Sequence, residues 1–360
     1  MQEYKKMAKE TEINVYEIAT TVVNSIPGMA SSIAVIGAFN SEITDITNVS
    51  GARIAHSLFG TSTTFGTFKG TDTIDYLFLG ASNLLVANIT TWTGDETPVA
   101  ETTLTNEKLT EALAKLKGET FDVLLIAEEL SDSAQSIVTT WLNEEYKTKN
   151  PHGQIASLNR ANASAYATSV QTFNKNVYYI NTQTFTVNGE TLDLNRSTAY
   201  MCGIIAGMSV SRSLTSKIIP NITGVSPEYT TENGDIGAIL LNLNIPFIKC
   251  KNRDNNEYIC VNSMLPNGLD IYINRVRDYV LKTIAIETYL GEQSSDATVE
   301  GIDNIVETVR RICVEELHLL KDIIYTVEKV SSDCIEIYID SMKFDGIITK
   351  INVYYTIEVE

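Results

Sequence analysis

Short apolar runs rich in β-branched residues alternate along the first half of the chain with helix-length amphipathic segments, and this order narrows the possible folds more than any other feature. Ser32 to Phe39 (SIAVIGAF) reads as a buried strand between Pro27-Gly28 and a polar stretch from Asn40 to Ser50. A helix is expected next. Asp75 to Gly80 continues an apolar helix end, Gly80 to Asn83 turns, and Leu84 to Thr91 is a second buried strand. A helix from Asn106 stops at Gly118 before the strand Phe121 to Ala127, and Ser131 or Asp132 caps another running to Lys147. Gln154 to Leu158 and Val177 to Ile180 read as further strands, separated by a helix from Ala161 to Phe173. Such alternation predicts an α/β layer whose sheet is at least partly parallel.

The grammar then changes. Asn188-Gly189, set among alternating residues of Thr184 to Leu194, is the strongest hairpin signal in the chain, and Arg196 to Ser211 reads as a buried helix. FIKC and EYICV flank a polar loop as a second hairpin, which places the main domain boundary near Asn244. Two helices follow, Ile273 to Leu290 and Thr298 to Tyr325. The second carries an apolar stripe through Ile302, Val306, Val309, Cys313, Leu317, Leu320 and Ile324, bordered by His318. Three strand-like runs end the chain. The fold class is therefore α/β, α+β overall: an α/β core with a smaller C-terminal α+β domain.

Little chemistry stands out. With 27 Lys+Arg against 45 Asp+Glu, a net charge of -18 disfavours a surface that wraps phosphate backbones. No apolar run approaches the ~18 residues needed to span a bilayer. Five cysteines, an odd and sparse set, fit a reducing cytoplasm, and three scattered histidines offer no zinc spacing. Gly60 to Gly70 lacks the Gly-Lys-Ser/Thr of a phosphate loop and reads as a solvated loop. Gly203 and Gly207 read as a close helix-packing site. The carboxylate pairs Glu128-Glu129, Glu144-Glu145 and Glu315-Glu316 read as solvated faces, since adjacent helical side chains diverge by about 100°. Cys250 and Cys260 would lie opposite each other in the second hairpin, and two free thiols are expected there.

The chain ends are unusual. Ile351, Val353, Tyr355, Ile357 and Val359 alternate with Asn352, Tyr354, Thr356 and Glu358 up to the final residue, and Ile13, Val15, Tyr16 and Ile18 form a short isolated strand candidate. These are either edge strands of the protein's own sheet or strands donated to neighbouring copies.

NSIPGMASSIAVIGAF, ARIAHSLFG, DYLFLGASNLLVANIT and AYMCGIIAGMSVSRSLTSKIIPNITGV, followed by INRVRDYVLKTIAIETYLG and a terminal strand, together resemble the contractile tail sheath proteins of phage tails and related injection machines. The resemblance implies an N-terminal arm over 1–22, an outer α/β domain over 23–244, a tube-facing domain over 245–345 and a C-terminal strand over 346–360. It implies no catalytic residue and no cofactor. The implied partners are other copies of the chain in helically stacked hexameric rings, a tail tube protein, and baseplate and terminator proteins, with no direct nucleic acid and no membrane insertion. Assembly in a host cytoplasm and residence in a virion tail or extracellular contractile particle follow. Arg310 and Arg311 are the candidate tube contact; the other reading is a solvated face with Glu307 and Glu315 as ion partners. An α/β nucleotide-binding protein or enzyme, or another tail component such as a baseplate or terminator protein, are the alternatives.

Overall fold

The computed structural model describes residues 32–94, 99–147, 150–170, 174–208, 212–266, 268–290, 299–331 and 334–344. The strand candidates Ile13 to Ile18 and Ile351 to Val359 therefore lie outside the described residues. In chain order the elements are β1 (Ser32–Gly37), β2 (Thr47–Val49), α1 (Ala52–Phe59), α2 (Ile74–Leu77), β3 (Asn83–Asn88), β4 (Thr91–Thr93), β5 (Val99–Glu101), α3 (Asn106–Lys115), β6 (Val123–Ile126) and α4 (Asp132–Lys147). Then come β7 (Gly153–Ser157), α5 (Ala163–Val170), β8 (Val177–Asn181), β9 (Thr184–Val187), β10 (Glu190–Thr191), α6 (Leu194–Gly207), β11 (Ile222–Ser226) and α7 (Ile236–Asn242). The last are β12 (Ile248–Asn252), β13 (Glu257–Cys260), α8 (Ile271–Leu290), α9 (Val299–Arg311), β14 (Asp322–Ser331) and β15 (Cys334–Lys343).

The central sheet has the order β2-β3-β1-β6-β7-β8 and is parallel except for the short edge strand β2. Its strands are apolar on both faces because both faces are covered. Ile33 and Val35 of β1 point into a core shared with α6, while Ala34 and Ile36 point into a second core with α3, α4, α5 and α7. Asn188 and Gly189 both take positive φ in the β9–β10 turn, as their sequence requires. Thr105 caps α3 by accepting from Lys108 N, and Ser131 accepts from Ala134 N at the start of α4.

Packing of α2 against α6 depends on two glycines. A Cβ on Gly203 would lie 2.0 Å from Tyr76 O, and one on Gly80 would lie 2.1 Å from Gly203 O. The expected close approach at Gly203 is thus realised against the turn after α2.

Three expectations change. The β12–β13 hairpin contributes Ile248, Tyr258 and Cys260 to the first core, so packing changes at Ile271 and Tyr272 and not near Asn244. Within that hairpin Cys250 faces Tyr258 and Cys260 faces Ile248, because Arg253 to Asn256 form a four-residue turn and a bulge follows Cys250. Cys250 and Cys260 are both free.

The expected helix over 298–325 also breaks early. Regular α-helix ends at Arg311, one π-type turn covers Ile312–Glu316, and His318 at φ 49 reverses the chain. His318 is exposed instead of packing on an apolar stripe. From Asp322 the β-branched and aromatic run DIIYTV continues as strand β14, which explains why Ile324 points outward.

Replacing Gly203 with Ala should drive a methyl into the Tyr76 carbonyl and cost roughly 1–3 kcal/mol. Thermal melting is expected to show a Tm lowered by several degrees with the folded spectrum retained.

Candidate assembly site

Helix α8 joins the sheet to the C-terminal elements. One side supplies Tyr272, Val276, Val280 and Ile284 to a third core with Val306 and Val309 of α9 and Ile323 of β14. The other side is polar yet buried, and it sits at the amino ends of the parallel strands. Arg275 donates to Ile205 O at 2.8 Å and Met208 O at 3.3 Å, closing the carboxyl end of α6. Lys282 donates to Phe121 O just before β6. Asp122 accepts from Ser32 N at 3.2 Å, and Asp278 receives Arg277 at 2.6 Å. Burial raises the Asp122 and Asp278 carboxyls and lowers the Lys282 and Arg275 groups, and the opposite charges among them oppose each shift. At its first turn Asp270 accepts from Tyr272 N at 3.0 Å, from Ser213 Oγ at 2.7 Å and from Ser263, tying α8 to the Ser213–Thr215 segment.

His152 lies beneath this seat, its ring stacked 3.8 Å from Phe121. Its Nδ1 is 2.9 Å from Phe121 O, and Lys282 Nζ stands 3.3 Å away. Burial, and then the Lys282 charge, hold the His152 pKa well below the ordinary value. Glu145, 3.9 Å from Nε2, is buried and accepts from Asn150 Nδ2 at 3.2 Å, so it is not part of a solvated pair.

Beyond α8 the ten-residue strands β14 and β15 form an antiparallel hairpin over Asp322–Lys343. Tyr325, Val327, Ile337 and Ile339 turn toward α9, while Ile324 and Tyr338 face outward. Among the described residues β14 and β15 pair only with each other, so no third described strand covers the outer backbone edge of either. Arg310 is held by Glu307 at 2.8 Å and Asp322 at 3.2 Å, and so clamps α9 to β14. Arg311 meets Glu316 at 2.5 Å and stays half exposed. The expected partner Glu307 is therefore realised, and Glu316 and Asp322 take the place given to Glu315.

The carboxyl ends of β1 and β6, where open α/β sheets receive nucleotides, are filled by protein. A Cβ on Gly37 would lie 2.8 Å from Ala127 Cβ, and Gly70 N donates to Ala38 O at 2.8 Å. In the 60–70 loop, Gly66 N and Ser62 both donate to the carboxylate of Asp72, which would repel a phosphate. Among the described residues no group of three or more His, Cys, Asp or Glu side chains is placed to hold a metal ion. No described helix is long and apolar enough to cross a membrane.

The family model of the phage tail sheath protein central domain matches residues 102–258. The sheath tail protein of Listeria innocua shares the fold at a TM-score of 0.66 and 12% identity, over 88% of this chain and 94% of its own. The corresponding protein of Desulfitobacterium hafniense gives 0.63 and 12%, over 87% and 93%. The contracted helical sheath of the anti-feeding prophage gives 0.64 and 13%, over 97% and 100%. A comparison with curated proteins finds no match. By a family model over residues 102–258 and by fold, the chain is similar to contractile tail sheath proteins, a structural and non-enzymatic family.

Sequence reading did not find Asp122, His152, Arg275, Asp278 or Lys282 as a group. The available signal was the four-residue spacing of Asn274, Asp278 and Lys282, which sets one polar stripe along the helix.

Because His152 is kept neutral in the fold, the unfolded chain takes its proton first as pH drops below about 6.5. Its contribution is complete above that pH and declines below it, with a slope approaching 1.4 kcal/mol per pH unit. Stability measured between pH 7.5 and 5.5 should fall more steeply in the native protein than in a His152→Gln variant. Parallel profiles would contradict this.

Proposed function

We propose that copies are joined by strand exchange on the β14–β15 hairpin. The terminal runs Ile13, Val15, Tyr16, Ile18 and Ile351, Val353, Tyr355, Ile357, Val359 of neighbouring copies add to its two edges. The observation that carries this reading is a pair of ten-residue strands with open outer edges. In this reading 1–22 and 346–360 are linking arms, and the unit from α8 to β15 faces an inner tube. Hexameric rings stack helically around that tube, and baseplate and terminator proteins close the ends. Contraction would drive the tube through a cell envelope. Repacking that buries a few hundred more Å² of apolar surface per copy would release several kcal/mol at ~25 cal/mol/Å², multiplied over the cylinder. The strand links can persist because hydrogen-bonded ladders pivot on their linkers.

Deleting Met1 to Ala19 should leave a folded subunit that forms no cylinders, whereas deleting Ile351 to Glu360 should also lower the Tm. Electron microscopy and thermal melting together test this. Normal contractile cylinders from the first deletion would contradict strand donation.

The tube contact is tested at Arg311, since Arg310 also holds β14 in place. Arg311→Glu, a surface change, should alter stability by no more than about 0.5 kcal/mol and reduce assembly on tubes. Undiminished tube-bound sheath would rule the contact out.

A further inference from the structure

In the last turn of α1 the imidazole of His56 stands between two oxygens. Its Nδ1 is 2.9 Å from Gly60 O, and its Nε2 is 2.8 Å from Asp75 Oδ1 on α2. A carbonyl and an ionised carboxylate only accept, so both contacts are hydrogen bonds at once only when each ring nitrogen carries a proton. A neutral ring satisfies one oxygen and turns a lone pair on the other.

Among the described residues Asp75 is the charge that acts on this ring. Other charged groups of the neighbouring elements are exposed or engaged elsewhere. Arg53, three residues earlier on α1, is exposed, β2 presents Thr47, Asn48 and Val49, and Tyr76 of α2 turns its ring to Tyr200. Lys69 is held by Glu128, Asp72 accepts from Ser62 and Gly66 N, and Arg196 of α6 is paired with Glu190 and Asp193. Burial opposes the charged form of His56, but the Asp75 hydrogen bond, the Gly60 carbonyl and the Asp75 charge outweigh it and raise the pKa above its ordinary value. A place in the last turn of a helix favours the cation as well.

Gly60 opens the 60–70 loop, so this contact reaches beyond α2. The far end of the loop is fixed by Gly70 N on Ala38 O and by Lys69 on Glu128. The near end, residues 60–66, is held by His56, by Gly66 N on Asp72 at 2.7 Å, and by Phe65, whose ring centre lies 4.1 Å from the Arg196 guanidinium.

We propose that His56 is a proton-dependent clasp: as imidazolium it ties the entry of the 60–70 loop to α2, and loss of one proton releases that entry. Whichever contact is lost, the link from Gly60 through His56 to Asp75 is broken, and the mostly exposed Asp75 carboxylate turns to water. The link is complete below the ordinary histidine range and is lost as pH rises through the raised value of the folded state, the opposite sense to His152. The order of residues 60–66, and with it the seating of Phe65 on Arg196, then falls as pH rises.

The experiment uses the full-length subunit before assembly, so its outcome is independent of strand exchange. Nuclear magnetic resonance of the ring carbons and nitrogens follows each histidine from pH 5.5 to 9, with His56→Gln assigning the signal. His56 is expected to carry both protons at pH 6 and to titrate above about 6.5, and Asp75→Asn, a surface change, should weaken its proton affinity about threefold. Hydrogen exchange, corrected for its intrinsic pH dependence, should show protection over residues 60–66 falling about fivefold from pH 6 to pH 8.5 in the native chain and less than twofold in His56→Gln. Asp75→Asn should flatten that response too, which keeps the test independent of how well His56→Gln folds. A neutral ring at pH 6, an unchanged midpoint in Asp75→Asn, or the same response of residues 60–66 in native and variant chains would overturn the proposal.

Discussion

Helix α8 belongs to two cores at once, and the rest of the molecule is arranged around that fact. Its apolar side builds the third core with α9 and the hairpin, and its polar side is seated on the amino end of β6 through Lys282 and on the carboxyl end of α6 through Arg275. An apolar contact of similar size could slide. Buried charges meeting particular carbonyls and carboxylates have few alternative arrangements, and removing one partner of such a pair typically costs about 3–5 kcal/mol. The seat thus fixes the direction in which the hairpin leaves the α/β layer. A force applied at the hairpin is delivered to the sheet and to the end of α6 through those same contacts.

The hairpin itself is an incomplete sheet. Two strands with one covered face are marginal alone, and long open edges invite pairing. In a monomer this is a liability. Under the proposed strand exchange it would supply a directional joint. Each backbone hydrogen bond contributes about 0.5–1.5 kcal/mol net, so a donated strand making four or five adds several kcal/mol before any side chain is counted. The high negative charge makes such a joint more necessary, because copies of the chain repel one another in solution.

The α/β layer was legible wherever one physical signal acted alone. Strands β1, β3 and β6 are apolar on both faces, and nothing else in a short β-branched run competes with that reading. Asn188-Gly189 and the glycine pair on α6 likewise declare their backbone requirements. The reading failed where two signals overlapped. Ile323, Ile324 and Tyr325 satisfy a helical stripe and a strand alternation equally, and the break depends on a positive φ at His318, a residue that does not announce one. The α8 seat was hidden for a different reason: polar residues at a four-residue spacing ordinarily mark a solvated face, and only tertiary contact shows that their partners are buried. Register in the β12–β13 hairpin turned on one extra turn residue and the bulge after Cys250, which together moved Cys250 away from Cys260. The terminal runs Ile13 to Ile18 and Ile351 to Val359 lie outside the described residues, so the pairing proposed for them rests on their sequence pattern alone.

A cryo-electron microscopy map of the assembled particle, at a resolution that traces individual strands, tests strand exchange most directly. The free edges of β14 and β15 should each carry a strand whose chain runs back to a different copy. Edges facing solvent, or covered only by residues 346–360 of the same chain, would contradict it.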